Sequence, residues 1–177
     1  MLKKNLYLVI YYLIARYLPS SYMGWVGRVS NALRVVCCKR IFKSAGKIIT
    51  VDRGAYFGNG RNVVIGDYSG ISANCVLPSN IIIGNYVMMA PDLLALKNNH
   101  RFDRPDIPIS RQGDIVAQPI VIGDNVWIGQ RVIITPGTRI ASGSVVAAGA
   151  VVTREHEPDS IIGGNPARVI RSRIAKS

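Results

Sequence analysis

The stretch "PIVIGDNVWIGQRVIITPGTRIASGSVVAAGAVVTR", residues 119–154, decides the fold. Every sixth residue from Ile122 is aliphatic: Ile128, Ile134, Ile140, Val146 and Val152. A second ladder lies upstream at Ile65, Ile71, Leu77, Ile83, Met89 and Ala95. In a chain that is 49% hydrophobic, twelve apolar residues in twelve such positions arise by chance about 2 times in 10,000 for one phase, so the period is real. The residue after each rung is often small, as at Gly66, Ser72, Gly84, Ala90, Gly123, Gly129, Ala141 and Ala147. The residue four positions after a rung is small or β-branched, as at Ser69, Cys75, Ile81, Val87, Val126, Val132, Thr138, Ser144 and Ala150. Neither a helix nor an ordinary strand has a period of six. A three-sided prism of flat parallel sheets does: each hexad supplies one short strand and one corner, and three hexads make a coil. Stacked coils bury a continuous aliphatic core. Residues 48–64 read as an irregular first coil carrying Val51, Phe57 and Val63 six apart. The two ladders are out of phase, since 27 residues separate Ala95 from Ile122. The segment 100–119 therefore leaves the prism as an extruded loop.

Composition agrees with an aliphatic solenoid. Only 7% of the 177 residues are aromatic, and the hydrophobic content excludes a disordered chain. The net charge of +12 is unevenly placed. Nine basic residues and no acid precede Asp52, whereas the remainder holds 13 basic and 10 acidic residues. A basic arm on a nearly balanced domain fits this distribution better than a nucleic-acid binder, for which no reading motif is present. The three cysteines, Cys37, Cys38 and Cys75, offer neither a disulfide framework nor zinc spacing, and read as reduced thiols.

The arm spans residues 1–47. Its uncharged run from Leu6 to Ala15 is too short to cross a bilayer, which takes about 20 residues. The run suits the apolar part of a signal peptide, but no clean cleavage site follows. Leu6, Val9, Ile10, Leu13 and Tyr17 share one helical face, Pro19-Ser20-Ser21 breaks the helix, and a second helix is expected over about Trp25 to Phe42. Val26, Val29, Leu33, Val36 and Ile41 line that second helix, with Arg28, Arg34, Lys39 and Arg40 between them. Such an arm either packs on the main domain or a neighbouring subunit, or lies on an anionic membrane surface.

The loop reads "NNHRFDRPDIPISRQG", residues 98–113, and holds His100, one of two histidines. Interruptions of a regular scaffold are where function concentrates. A neutral imidazole takes the proton of a hydroxyl as that oxygen attacks a carbonyl. Its other N–H then needs an oxygen acceptor, and Asp103 or a backbone carbonyl is the candidate. Negative charge developing on the carbonyl oxygen needs a preorganised donor.

Residues 48–174 resemble the hexapeptide-repeat acyltransferases. They are most similar to the sugar and polysaccharide O-acetyltransferases, the galactoside and maltose enzymes and those of exopolysaccharide and capsule clusters among them. The His100 loop, "VWIG" at 126–129 and "GNPAR" at 164–168 carry the resemblance, in the family's order. It implies a left-handed parallel β-helix, a handedness opposite to the usual crossover preference, and a mainly β fold with a helical N-terminal arm. It also implies acetyl-CoA as co-substrate without a metal, and a homotrimer with active sites between subunits. His100 would be the catalytic base, and the backbone N–H of Gln130 would support the thioester carbonyl. Trp127, Gly129, Ala148, Thr153 and Arg154 would line the coenzyme arm, with Arg168 and Arg171 near its phosphates, where guanidinium groups bind well.

The acceptor is less legible. Gly70 stands where the galactoside enzymes have a polar sugar ligand, so Asn74 and Asn99 are the remaining candidates for sugar contact. A saccharide in a polysaccharide or a lipid-linked glycan precursor fits the basic, tyrosine-rich arm. The expected location is the cytoplasm, with peripheral attachment to the inner face of the cytoplasmic membrane if the arm meets lipid. Two other readings stand beside O-acetyl transfer: N-acetyl transfer to an amino sugar, with Asp103 or Asp106 taking a proton from the amine, and a non-enzymatic membrane-associated scaffold. A carbonic anhydrase of the same architecture needs three zinc-binding histidines, and the chain has only His100 and His156. Residues 175–177 are a tail.

Overall fold

The computed structural model describes residues 2–116 and 118–174; the expected tail lies outside them. All twelve rungs of the two hexad ladders are buried. Short strands stack into three parallel sheets. The first contains Ser44–Ala45, Val64–Ile65, Ile82–Ile83, Val121–Ile122 and Arg139–Ile140. The second contains Met88–Met89, Trp127–Ile128, Val145–Val146 and Ser160–Gly164, and ends on the antiparallel strand Ala167–Ser172. The third contains Leu94–Ala95, Ile133–Ile134 and Val151–Val152. The architecture is the left-handed parallel β-helix. In the regular coils paired strands are eighteen residues apart, as in Trp127 with Val145 and Ile133 with Val151. Across the extruded loop the offset rises to 39, yet Ile82, Met88 and Leu94 still pair in register with Val121, Trp127 and Ile133. The loop therefore adds 21 residues without disturbing the stack.

Small residues after the rungs let the coils approach. A Cβ placed on Gly129 would lie 2.6 Å from the Ala148 nitrogen, which only a backbone shift could relieve. Ser44–Ala45 already pairs with Val64–Ile65, so strand pairing begins within the stretch read as the arm.

The arm is two helices, α1 (Leu2–Leu13) and α2 (Gly24–Ile41), packed on the first coil. Neither is long and apolar enough to cross a membrane. The faces they bury are mostly not the apolar stripes. α1 turns Tyr11 inward, where its ring meets Phe57 at 4.6 Å and its hydroxyl donates to the Ala55 carbonyl at 2.9 Å. Tyr12 donates to the Gly58 carbonyl at 2.7 Å. α2 buries Gly27, Ser30, Arg34, Cys37, Cys38 and Ile41. Gly27 is required because the linker crosses it: a Cβ there would meet the Ser20 carbonyl oxygen at 2.5 Å. By contrast Leu6, Val9, Leu13 and Tyr17 of the predicted stripe are exposed, as are Val26, Val29 and Val36. The coil end offers open carbonyls and close backbone, so hydroxyls, a guanidinium and small residues seat there and the bulky aliphatics face out.

Arg34 holds this junction together. Its fully buried guanidinium donates to the carbonyls of Val51, Ala15, Leu18 and Pro19 and to Ser21 Oγ, and lies 3.6 Å from Asp52. Burial pushes the Asp52 carboxyl up. The Ser21 and Arg53 amides and the Ser20 and Ser21 hydroxyls outweigh that and hold it below the usual carboxylate range. The three cysteines are buried free thiols, each with its ionisation pushed up by burial.

Candidate active site

His100 leaves the solenoid at the corner between the third and first sheets, where the chain departs and returns as an antiparallel pair. Asn99 faces Ile115, and His100 faces Asp114. Side chains of directly opposed residues share a face, and His100 Nδ1 meets Asp114 Oδ1 at 2.8 Å. The carboxylate beside the imidazole is thus Asp114 and not Asp103. Asp103 lies beyond the paired stem, in a shallow hollow with Arg101, Phe102 and Ile115. With Nδ1–H donated to Asp114, Nε2 is left as the basic nitrogen, and the imidazole is three-quarters exposed, open to a substrate. The sequence held a signal for this partner: Gly113-Asp114 closes the loop that opens at His100, and the Arg101 amide donates to the Gly113 carbonyl.

Trp127, Gly129 and Gln130 sit elsewhere, on the second sheet and at its corner with the third. Gln130 is exposed there, and its backbone N–H has no hydrogen-bond partner among the described residues. Its side chain donates to Asp92, which also accepts from Asn74, so Asn74 is spent on a column along this corner. The Gln130 and Asn74 donors hold the Asp92 carboxyl below its ordinary range. Ala148 lies one coil after Gln130, whose carbonyl accepts from Gly149 at 2.8 Å. Within one chain His100 and the Trp127–Gln130 group therefore lie on different corners.

Thr153 and Arg154 are exposed at the third-to-first corner, and Arg168 and Arg171 lie on the last strand. Arg171 donates to the Ser172 carbonyl, and Arg168 to the Ala167 carbonyl. His156 lies within reach of the charges of Arg154 and Arg168. It is half-buried, and its Nε2 is buried without a partner. Burial first, then the charges of Arg154 and Arg168, hold its pKa below the ordinary value. The unfolded chain then takes up this proton before the folded one does. Stability should fall as pH drops through about 6.5, the unfolded value, and His156→Gln should flatten that fall. Thermal melts from pH 7.5 to 5 measure it, and equal slopes for the two proteins would contradict the assignment.

The sequence did not reveal a groove of about 350 Å³ on the second sheet. Tyr22 from the linker, Tyr68, Met88 and Trp127 wall it, and Gly70 and Ser72 lie at its edge. Tyr68 stacks on Tyr86, with centroids 5.1 Å apart. Among the described residues no three His, Cys, Asp or Glu side chains gather as a metal site.

The bacterial transferase hexapeptide (six repeats) family model matches residues 119–154. Galactoside O-acetyltransferase of Escherichia coli is 34% identical over 135 residues, covering 75% of this chain and 65% of that protein, so the chain spans just under two thirds of that relative. A hexapeptide-repeat-containing acetyltransferase from Vibrio cholerae is 34% identical with a TM-score of 0.73, covering 82% of each chain, and has also been solved with acetyl coenzyme A. Galactoside acetyltransferase in complex with coenzyme A superposes with a TM-score of 0.73 at 27% identity, covering 98% of this chain and 80% of that one. Repeat, register and relatives agree, and the chain belongs to the hexapeptide-repeat acetyltransferases.

Proposed function

We propose that the protein transfers an acetyl group from acetyl-CoA to a hydroxyl of a saccharide, with His100 as general base. The observation that carries this reading is the His100–Asp114 pair, which leaves a basic, exposed Nε2 at the root of the loop. Nε2 takes the acceptor's hydroxyl proton as the oxygen attacks the thioester carbonyl. The oxyanion meets the unpaired Gln130 N–H, and the tetrahedral intermediate collapses with the imidazolium returning the proton to the departing thiolate. Asp114 holds the imidazole in the required tautomer.

His100 and Gln130 occupy different corners of one chain, so a complete site needs His100 of one subunit beside Trp127 and Gln130 of the next, as in a homotrimer. Arg154 and Arg168 suit the phosphates of the coenzyme; a phosphate between them would also offset their repulsion of a protonated His156. The aromatic groove suits a sugar ring, whose C–H faces stack on tyrosine and tryptophan. Gly70, at its edge, adds no side chain where a polar ligand would otherwise stand. Asp106 is bound by Arg104, whose side chain holds that carboxyl below its usual range. That leaves Asp103 as the free loop acid for an amine acceptor, and the hydroxyl is favoured because Asp114 already serves His100.

The test is transfer from labelled acetyl-CoA to free sugars, polysaccharides, lipid-linked oligosaccharides and amino sugars. An alkali-labile ester on a saccharide is the expected product. An alkali-stable amide would move the reaction to nitrogen, and no transfer to any acceptor would favour the scaffold.

A further inference from the structure

The outward face of the helical arm has no partner among the described residues. The inward direction of α1 is fixed by Tyr11, fully buried near its end. Leu6, Val9 and Leu13 lie on the opposite side of the helix, three or four residues apart, and are 53–73% exposed, and Tyr17, in the short turn that follows, is exposed as well. In α2 the inward direction is fixed by Gly27, Ser30, Arg34 and Cys37. Trp25, Val29 and Val36 lie opposite and are 48–72% exposed, with the small Ala32 completing the row. The two helices pack side by side on the first coil, so both stripes point away from the solenoid and share one surface. Tyr22 and Met23, at the turn between them, are also exposed.

Charge identifies what this surface meets. Arg28, Lys39, Arg40 and Lys43 are exposed along α2 and just beyond it, and no acidic residue occurs before Asp52. Arg34, one of the nine basic residues of this region, is buried against Asp52 and contributes nothing outward. A subunit contact would be expected to carry acids against these bases. An apolar stripe with interfacial aromatics, flanked by cations alone, is the pattern of a helix lying in an anionic bilayer surface. We infer that the α1–α2 face docks on an anionic membrane, with Leu13, Trp25, Val29 and Val36 entering the headgroup boundary and the basic side chains meeting lipid phosphates. This goes beyond the transferase reading and does not depend on it.

The experiment uses the full chain with vesicles of phosphatidylcholine alone or mixed with phosphatidylglycerol. The protein should sediment with the mixed vesicles at low salt and be released as salt rises. In a Trp127→Phe background Trp25 is the sole tryptophan, and its emission should shift to the blue on the mixed vesicles. Val29→Glu combined with Val36→Glu should cut binding by about tenfold or more without lowering the melting temperature, since both side chains are exposed. Arg28→Glu with Lys39→Glu should weaken binding to mixed vesicles only. Equal binding to neutral vesicles, or undiminished binding by the glutamate variants, would overturn the inference. So would a protein that ignores vesicles but loses a self-associated state in the Val29/Val36 variant, which would make a second copy the occupant.

Discussion

His100→Ala should lower acetyl transfer by about a hundred- to ten-thousand-fold, the range that a positioned general base contributes. The loss should fall on kcat, with KM for acetyl-CoA little changed, because the imidazole acts on the acceptor proton and not on the coenzyme. Two neighbouring variants separate the carboxylates. Asp114→Asn removes the charge that faces the imidazolium and frees the ring to adopt the other tautomer, so it should lose much of the rate. Asp103→Asn, which touches neither ring nitrogen, should stay near the parent rate. All three side chains are exposed, so melting temperatures should hold and the comparison reads chemistry. Retention of about a tenth of the rate or more by His100→Ala would remove the residue from the base role.

Arg34→Met should be the most destabilising of the arm substitutions. It removes the guanidinium donors to the carbonyls of Val51, Ala15, Leu18 and Pro19 and takes the paired cation from the buried Asp52 carboxylate. Breaking one side of a buried pair costs about 3–5 kcal/mol. In a chain of this size that is a drop of roughly 6–20 °C in melting temperature. Arg34→Lys should recover little, because one ammonium cannot reach the oxygens that the planar guanidinium spans. Arg28→Ala, on the outward face, should move stability by no more than about 0.5 kcal/mol. A near-parent melt for Arg34→Met would mean that the arm contributes little to the fold. Acid bears on the same junction. The Asp52 carboxyl is held below its unfolded value, so its stabilisation is present at neutral pH and is lost as pH falls through the lowered folded value.

The solenoid was legible because its signal repeats. A rung every six residues is a local rule applied twelve times, and each of those rungs is buried. The second helix was legible to within a residue, whereas the first stops at Leu13, short of the Pro19-Ser20-Ser21 break, and neither orientation was legible. Helical periodicity marks Leu6, Val9, Leu13 and Tyr17 as one face without saying whether that face points in. The first coil decided the matter by offering carbonyls, which Tyr11, Tyr12 and Arg34 can satisfy and leucine cannot. His100 could be singled out by its place at the loop root, whereas its partner is marked only by Gly113-Asp114 at the loop's close, a weaker signal. The choice between Asp103 and Asp114 depends on an antiparallel stem whose register is set by where the loop closes. The aromatic groove is assembled from residues more than a hundred positions apart, Tyr22 and Trp127, and nothing in either neighbourhood announces the other.

The 21 residues added between the two ladders leave every strand pairing where it would have been without them. The scaffold is thus indifferent to the length of what is inserted, provided the ends meet at the His100–Asp114 step. Segment 101–113 can be transplanted, shortened or randomised without retuning a single core contact. What surrounds His100 can change while the aliphatic ladder keeps its contacts.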